Sequence, residues 1–181
     1  MTQLHPIAPA WQVERWFNTD KPLSLESLRG KVVVLEAFEM LCPGCVSHGL
    51  PQAQRVHATF PSDRVAVIGL HSVFEHHEAM PPVALKAFLH EYRIPFPVAV
   101  DQPSATGPIP ETMRAYAMRG TPTLTLIDAE GHIRHQHFGQ VSDLVLGAQI
   151  ATLVNEAMTL DTAERTPVAS GGRCDGDACE V

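Results

Sequence analysis

Two cysteines three positions apart, Cys42 and Cys45, lie just after an apolar run, Val32-Val33-Val34-Leu35, and open a stretch with helical spacing. A thiol at a helix N-terminus meets the positive end of the helix dipole, which favours the thiolate, the form that attacks disulfides. A second thiol one helical turn on can close a ring with the first and expel the departing sulfur. The spacing therefore predicts thiol–disulfide exchange, with Cys42 as nucleophile and Cys45 as resolving thiol. A structural disulfide or half of a zinc site is the other use of such a pair. Zinc usually takes four ligands, and the only other cysteines, Cys174 and Cys179, stand near the C-terminus with four residues between them. Between the two thiols, Pro43 removes one backbone donor and Gly44 adds freedom.

The elements that must hold these thiols can be read on either side. Val32 to Phe38 is nearly all apolar and β-branched, the pattern of a strand covered on both faces. Val46, Ala53, Val56 and Phe60 recur at helical spacing, so a helix is expected from about Pro43 to Phe60, kinked by Pro51. Val65 to Leu70 reads as a second buried strand, 82 to 92 as a helix opened by Pro82, and Phe96 to Val100 as a short third strand. A loop rich in Pro, Gly and Ser (101–110) leads to a helix near Glu111 to Met118. Thr123 to Asp128 and His132 to Phe138 form a hairpin around Gly131. Ser142 or Asp143 caps a last helix with Leu146, Ile150, Leu153, Val154 and Ala157 along one stripe. Residues 1 to 30 read as an irregular lead-in anchored by Trp11, Val13, Trp16 and Phe17. This order predicts an α/β fold of three layers, a mixed central sheet flanked by helices. The domain is expected over 1–160, with a mobile tail over 161–181.

The chain has 181 residues, 45% apolar and 18% charged, which suits a single globular domain rather than a disordered chain. A net charge of −7 without a Lys/Arg cluster argues against nucleic-acid binding. No window approaches the length of apolar residues that spans a bilayer, so no membrane partner is expected. Met1 to Phe17 lacks a basic patch followed by an apolar stretch. That predicts a cytoplasmic protein, or a periplasmic one if a leader has been removed.

Together with Gly30-Lys31-Val32-Val33-Val34-Leu35 before the cysteines and Gly120-Thr121-Pro122-Thr123 before a strand, this order resembles the TlpA/ResA-like redoxin branch of the thioredoxin superfamily. The likeness covers roughly residues 20 to 158. It implies a thioredoxin-like fold with the redoxin-type inserted helix and strand, and a thiol–disulfide oxidoreductase that needs no cofactor and no metal. The implied partners are disulfide-containing proteins or small thiols, together with a reductase or oxidant that the sequence does not identify. By the same resemblance Pro122 is cis, and Thr121, Pro122, Pro43 and Gly44 form the edge on which substrate docks. An ordinary trans proline opening a strand is the alternative. Glu36 interrupts an apolar run six residues before Cys42, where a charge is expensive. The resemblance makes it a buried proton acceptor for Cys45, and pairing with Lys31 or another cation at the strand edge is the alternative. The chain departs from the pattern at Phe38, Glu39, Met40 and Leu41. His48 replaces a carboxylate that some relatives carry three residues after the second cysteine.

Two other readings remain at the level of sequence. A metal-handling protein of the copper-chaperone kind could use Cys42, Cys45 and histidines or the tail thiols. A thiol peroxidase of the peroxiredoxin kind is disfavoured, because its motif requires proline and threonine where this chain has Leu35 and Glu39. Cys174 and Cys179 are candidates for a redox relay with Cys42, with an incidental role as the alternative. His135 and His137 are expected on one face of the hairpin and His132 on the other. They read as a solvated face rather than a metal site, for want of a local carboxylate or cysteine to complete the set.

Overall fold

The structure, a computed structural model, describes residues 5–165, with side chains described through residue 159. Six strands form one sheet in the order β1-β4-β3-β2-β5-β6: β1 (Val13–Phe17), β2 (Val32–Phe38), β3 (Val65–His71), β4 (Val98–Asp101), β5 (Thr123–Ile127) and β6 (Ile133–Phe138). The pairs β2–β3 and β3–β4 are parallel, and β1–β4, β2–β5 and β5–β6 are antiparallel. The helices are α1 (Leu50–Thr59), α2 (Pro82–Glu91), α3 (Glu111–Ala115) and α4 (Asp143–Arg165). The expected mixed sheet with an inserted helix and strand is therefore present.

β2 lies at the centre, and all seven of its residues are buried, as its continuous apolar character requires. Its alternate side chains feed two cores. Val32, Val34 and Phe38 pack with Leu50, Ala53 and Val56 of α1, Leu85 and Leu89 of α2, and Leu146, Ile150 and Leu153 of α4. Val33, Leu35 and Ala37 pack with Leu25, Leu28, Met113 and Tyr116 on the opposite face. Glu36 shares the parity of Val34 and Phe38, so it points to the face that α1 and α4 cover.

Several boundaries differ from expectation for local reasons. Residues 13–17, expected within an irregular lead-in, form edge strand β1. A register shift between Val13 and Arg15 breaks the alternation that would have marked it. β4 runs over Val98–Asp101 rather than from Phe96, since Pro97 has no N–H to give to the ladder. The short α3 stops at Ala115, and Ala117 turns out of it at φ 50°. α4 continues to Arg165, so the expected domain boundary at 160 falls inside a helix. Ser142 Oγ accepts the Val145 N–H at its start, as a capping residue should. Gly131 takes the left-handed conformation the hairpin needs, at φ 85°. Among the described residues, no helix is long and apolar enough to cross a membrane.

Candidate active site

The chain leaves β2 at Phe38, turns through Glu39–Leu41 and enters a helix at Pro43. Where a kink at Pro51 is expected, the helix instead carries a π turn over Cys45–Gly49, and α1 follows from Leu50. Pro51, which has no N–H to give, then stands in the first turn of α1, where its missing donor costs little. In this turn the Leu50 N–H donates to the Cys45 carbonyl. Residues four apart share nearly one face of so wide a turn, so Cys45 and Gly49 both look back at β2.

The two cysteines are free thiols in different surroundings. Cys42 is half-buried and Cys45 fully buried. The Cys45 backbone N–H donates to Cys42 Sγ at 3.2 Å, and the Cys42 thiol is 3.6 Å from the Thr121 carbonyl oxygen. An amide aimed at a sulfur stabilises negative charge there. Burial, and then the neighbouring Cys42 sulfur, push the Cys45 thiol well above the ordinary thiol range. The outer sulfur is thus half-buried and faces a backbone donor, and the inner one is buried and held as a thiol.

The Thr121–Pro122 peptide bond is cis, and the proline ring packs directly against the cysteine loop. A Cβ on Gly44 would come within 3.3 Å of Pro122 Cδ. One on Gly49 would sit 3.0 Å from Pro122 Cβ and overlap Glu36 Oε1. Glycine at 49 is what lets the helix, the cis-proline and the buried carboxyl meet. Its only signal in the sequence is a small residue one turn beyond Cys45.

Glu36 is 1% exposed, and its Oε1 has no hydrogen-bond partner among the described residues. Lys31, the alternative cation, instead donates to the Ser62 carbonyl at 2.8 Å. Burial pushes the Glu36 carboxyl up to about 8. The carboxyl lines a cavity of about 350 Å³ whose other walls include Ser47, His48, Gln52, Arg55 and Asp143.

The chain as a whole can be set beside known proteins. The AhpC/TSA family model matches residues 6–136. The chain belongs to the AhpC/TSA family. A crystal structure of a thioredoxin-like superfamily protein is similar at 64% identity and a TM-score of 0.81, covering 82% of this chain and 96% of that one. A thiol-disulfide isomerase from Corynebacterium glutamicum is similar at 54% identity and a TM-score of 0.78, covering 81% of this chain and 96% of that one. Protein DipZ of Mycobacterium bovis is 32% identical over 144 residues, 78% of this chain but 20% of DipZ. The chain thus spans about a fifth of the length of that relative.

Within this AhpC/TSA chain, the structure brings Cys42, Cys45, Pro43, Gly44, Thr121, Pro122 and Glu36 to one end of β2. Cys174 and Cys179 lie outside the described residues. Glu39, in the sequence a departure from the family pattern, has a structural role. It is buried, and its Oε1 accepts the Phe74 N–H at 3.0 Å, tying the loop after β3 to the cysteine loop. The hairpin histidines need one correction. His135 and His137 do stack, at 6.2 Å between ring centres, but His132 has local carboxylates after all. Ligand atoms of Asp128, Glu130 and His132 lie within 4.8 Å of one another, because Asp128 folds the turn by accepting the Glu130 and His132 N–H groups.

Proposed function

We propose that this chain is a thiol–disulfide oxidoreductase whose substrates are disulfide-containing proteins or small disulfides and thiols. Cys42, as thiolate, attacks a substrate disulfide, one substrate sulfur leaves, and a mixed disulfide forms. Cys45 then attacks Cys42 Sγ and releases the second substrate sulfur. Two electrons have passed from the dithiol to the substrate, and Cys42 and Cys45 are joined. In the opposite direction an incoming thiolate opens that disulfide at Cys42 and Cys45 leaves.

The observation that carries this reading is the division of labour between the sulfurs, with the Cys45 amide donating to an accessible Cys42 Sγ at 3.2 Å while Cys45 itself is buried. A thiol raised by burial needs a proton acceptor to attack and a proton donor to leave. Glu36 lies on the face that Cys45 and Gly49 present to β2, and it serves as acceptor in one direction and donor in the other. Thr121, Pro122, Pro43 and Gly44 supply the edge on which substrate lies. The likeness to the isomerase from Corynebacterium glutamicum supports the same reading. A peroxidase reading gains nothing from Glu39, whose carboxylate is engaged by the Phe74 amide.

The test is a Cys45→Ser variant of the full chain, incubated with a disulfide-bonded protein and analysed by mass spectrometry under non-reducing conditions. The expected result is a stable mixed disulfide on Cys42 that is lost when Cys42→Ser is added. If no adduct on Cys42 accumulates, the proposal fails.

A further inference from the structure

The cavity beside the redox pair has a buried carboxyl in one wall and an imidazole in another. Four of its lining side chains carry charge or titrate: Glu36 from β2, His48 from the π turn, Arg55 from α1 and Asp143 from α4. Two of them are locked together. Arg55 donates through Nε to Asp143 Oδ2 and through Nη2 to Oδ1, each at 3.1 Å, and Gln52 Nε2 donates to Oδ1 at 2.7 Å. The Gln52 and Arg55 hydrogen bonds hold the Asp143 carboxyl below its usual range, and a guanidinium keeps its proton. Glu36 and His48 are the two remaining ionisable side chains among the described lining residues, and neither is engaged by that ion pair.

The imidazole is also set in one tautomer. Ser47 Oγ donates its single hydrogen to the Pro43 carbonyl at 2.7 Å, so it must accept at its 2.6 Å contact with His48 Nδ1. That places a hydrogen on Nδ1 and leaves the Nε2 lone pair ready for a proton. The π turn puts His48 next to Gly49, the residue against which the Glu36 carboxyl rests. The cavity wall mixes polar and apolar side chains in similar measure, and its volume accommodates a chain of several waters.

We propose that His48 relays protons between the buried Glu36 carboxyl and solvent through this cavity. The proposal rests on the exchange reaction of Cys42 and Cys45 described above. Before resolution, Glu36 gives its proton through cavity water to His48 Nε2, and the imidazolium releases one to solvent. The ionised Glu36 then takes the Cys45 proton as the Cys45 sulfur bonds to Cys42 Sγ, and the substrate sulfur departs with the electron pair of the broken bond. In the reverse direction the same route reloads Glu36 after it has protonated the leaving Cys45. His48 acts through Glu36 and touches neither sulfur in this scheme.

The test uses the full chain carrying Cys174→Ser and Cys179→Ser, reduced and mixed with a chromogenic aryl disulfide (dithiobis-nitrobenzoate). The first burst of coloured thiolate reports attack by Cys42 and the second reports resolution by Cys45. In His48→Ala and His48→Gln the ratio of second to first rate at pH 7 is expected to fall about tenfold or more, a threshold set below the roughly 10²–10⁴-fold of a directly acting general acid–base group because His48 acts through Glu36. Added imidazole should restore it in His48→Ala and leave Glu36→Gln slow. A ratio within twofold of the parent overturns the relay, as does a slowed second phase that imidazole fails to restore. A parent protein with no first burst overturns the exchange reaction itself, and the relay with it, which separates the two failures.

Discussion

Replacing Glu36 by glutamine should stabilise the protein, and by an amount that depends on pH. The side chain is 1% exposed, lacks a partner for Oε1, and has its carboxyl pushed by burial from an ordinary value of 4.5 to about 8. The unfolded chain therefore ionises Glu36 near pH 4.5, and the folded chain only near pH 8. Between those values the folded state holds a proton that the unfolded state has released, so stability falls as pH rises. Each pH unit in that window costs about 1.4 kcal/mol, which comes to about 3 kcal/mol at pH 7 and levels off above pH 8. Glu36→Gln keeps the shape of the protonated acid and removes the titration. Urea unfolding under reducing conditions from pH 4.5 to 8.5 should show a small difference between variant and parent at the acid end. The variant should be more stable by about 3 kcal/mol at pH 7. A difference that is flat with pH, or a variant less stable than the parent at pH 7, would refute the placement of Glu36 as a buried acid. The same substitution should slow resolution by Cys45, so stability and activity move in opposite directions, as they do where a site stores an unfavourable group for use.

Three further outcomes follow from the packing. Gly49→Ala should lower stability by about 1–3 kcal/mol in urea unfolding, because its Cβ meets Glu36 and Pro122, which cannot both give way. Asp101→Ala should lower it by about 3 kcal/mol, since that buried carboxylate accepts the Thr112 and Met113 N–H groups and the Ser72 hydroxyl, and their donors would be left unpaired. Burial lowers His71 to about 4, so it folds neutral, and its contribution is lost as pH falls from 6.5 through 4. His71→Leu should therefore flatten the acid side of the stability profile, and a profile unchanged below pH 6 would contradict that.

Much of the site was visible in the chain because it is local or strongly patterned. Cys42 and Cys45 announce themselves by spacing, and Glu36 by interrupting an otherwise continuous buried strand. Pro122 required the resemblance, since Thr-Pro before a strand has an ordinary trans reading as well. The less legible parts depend on distant segments meeting. The cavity is assembled from β2, the π turn, α1, β5 and residues 139–144, so no window of sequence contains it. β1 stayed hidden because an edge strand with a register shift carries Glu14 and Arg15 without penalty. Asp101 looked like the first polar residue of a loop, whereas it ends β4 and caps α3. Glu39 conveyed only a departure from pattern, because its partner is a backbone amide 35 residues away.

In the proposed reaction Cys42 and Cys45 act as one two-electron couple. The direct measurement is intact-mass analysis of the full chain carrying Cys174→Ser and Cys179→Ser, titrated with a disulfide substrate. Each protein molecule is expected to consume one substrate disulfide, release both substrate sulfurs as thiols, and lose two hydrogens in forming a Cys42–Cys45 bond. A protein that stays a dithiol, or that stops at a persistent adduct on Cys42 with Cys45 still free, would contradict it.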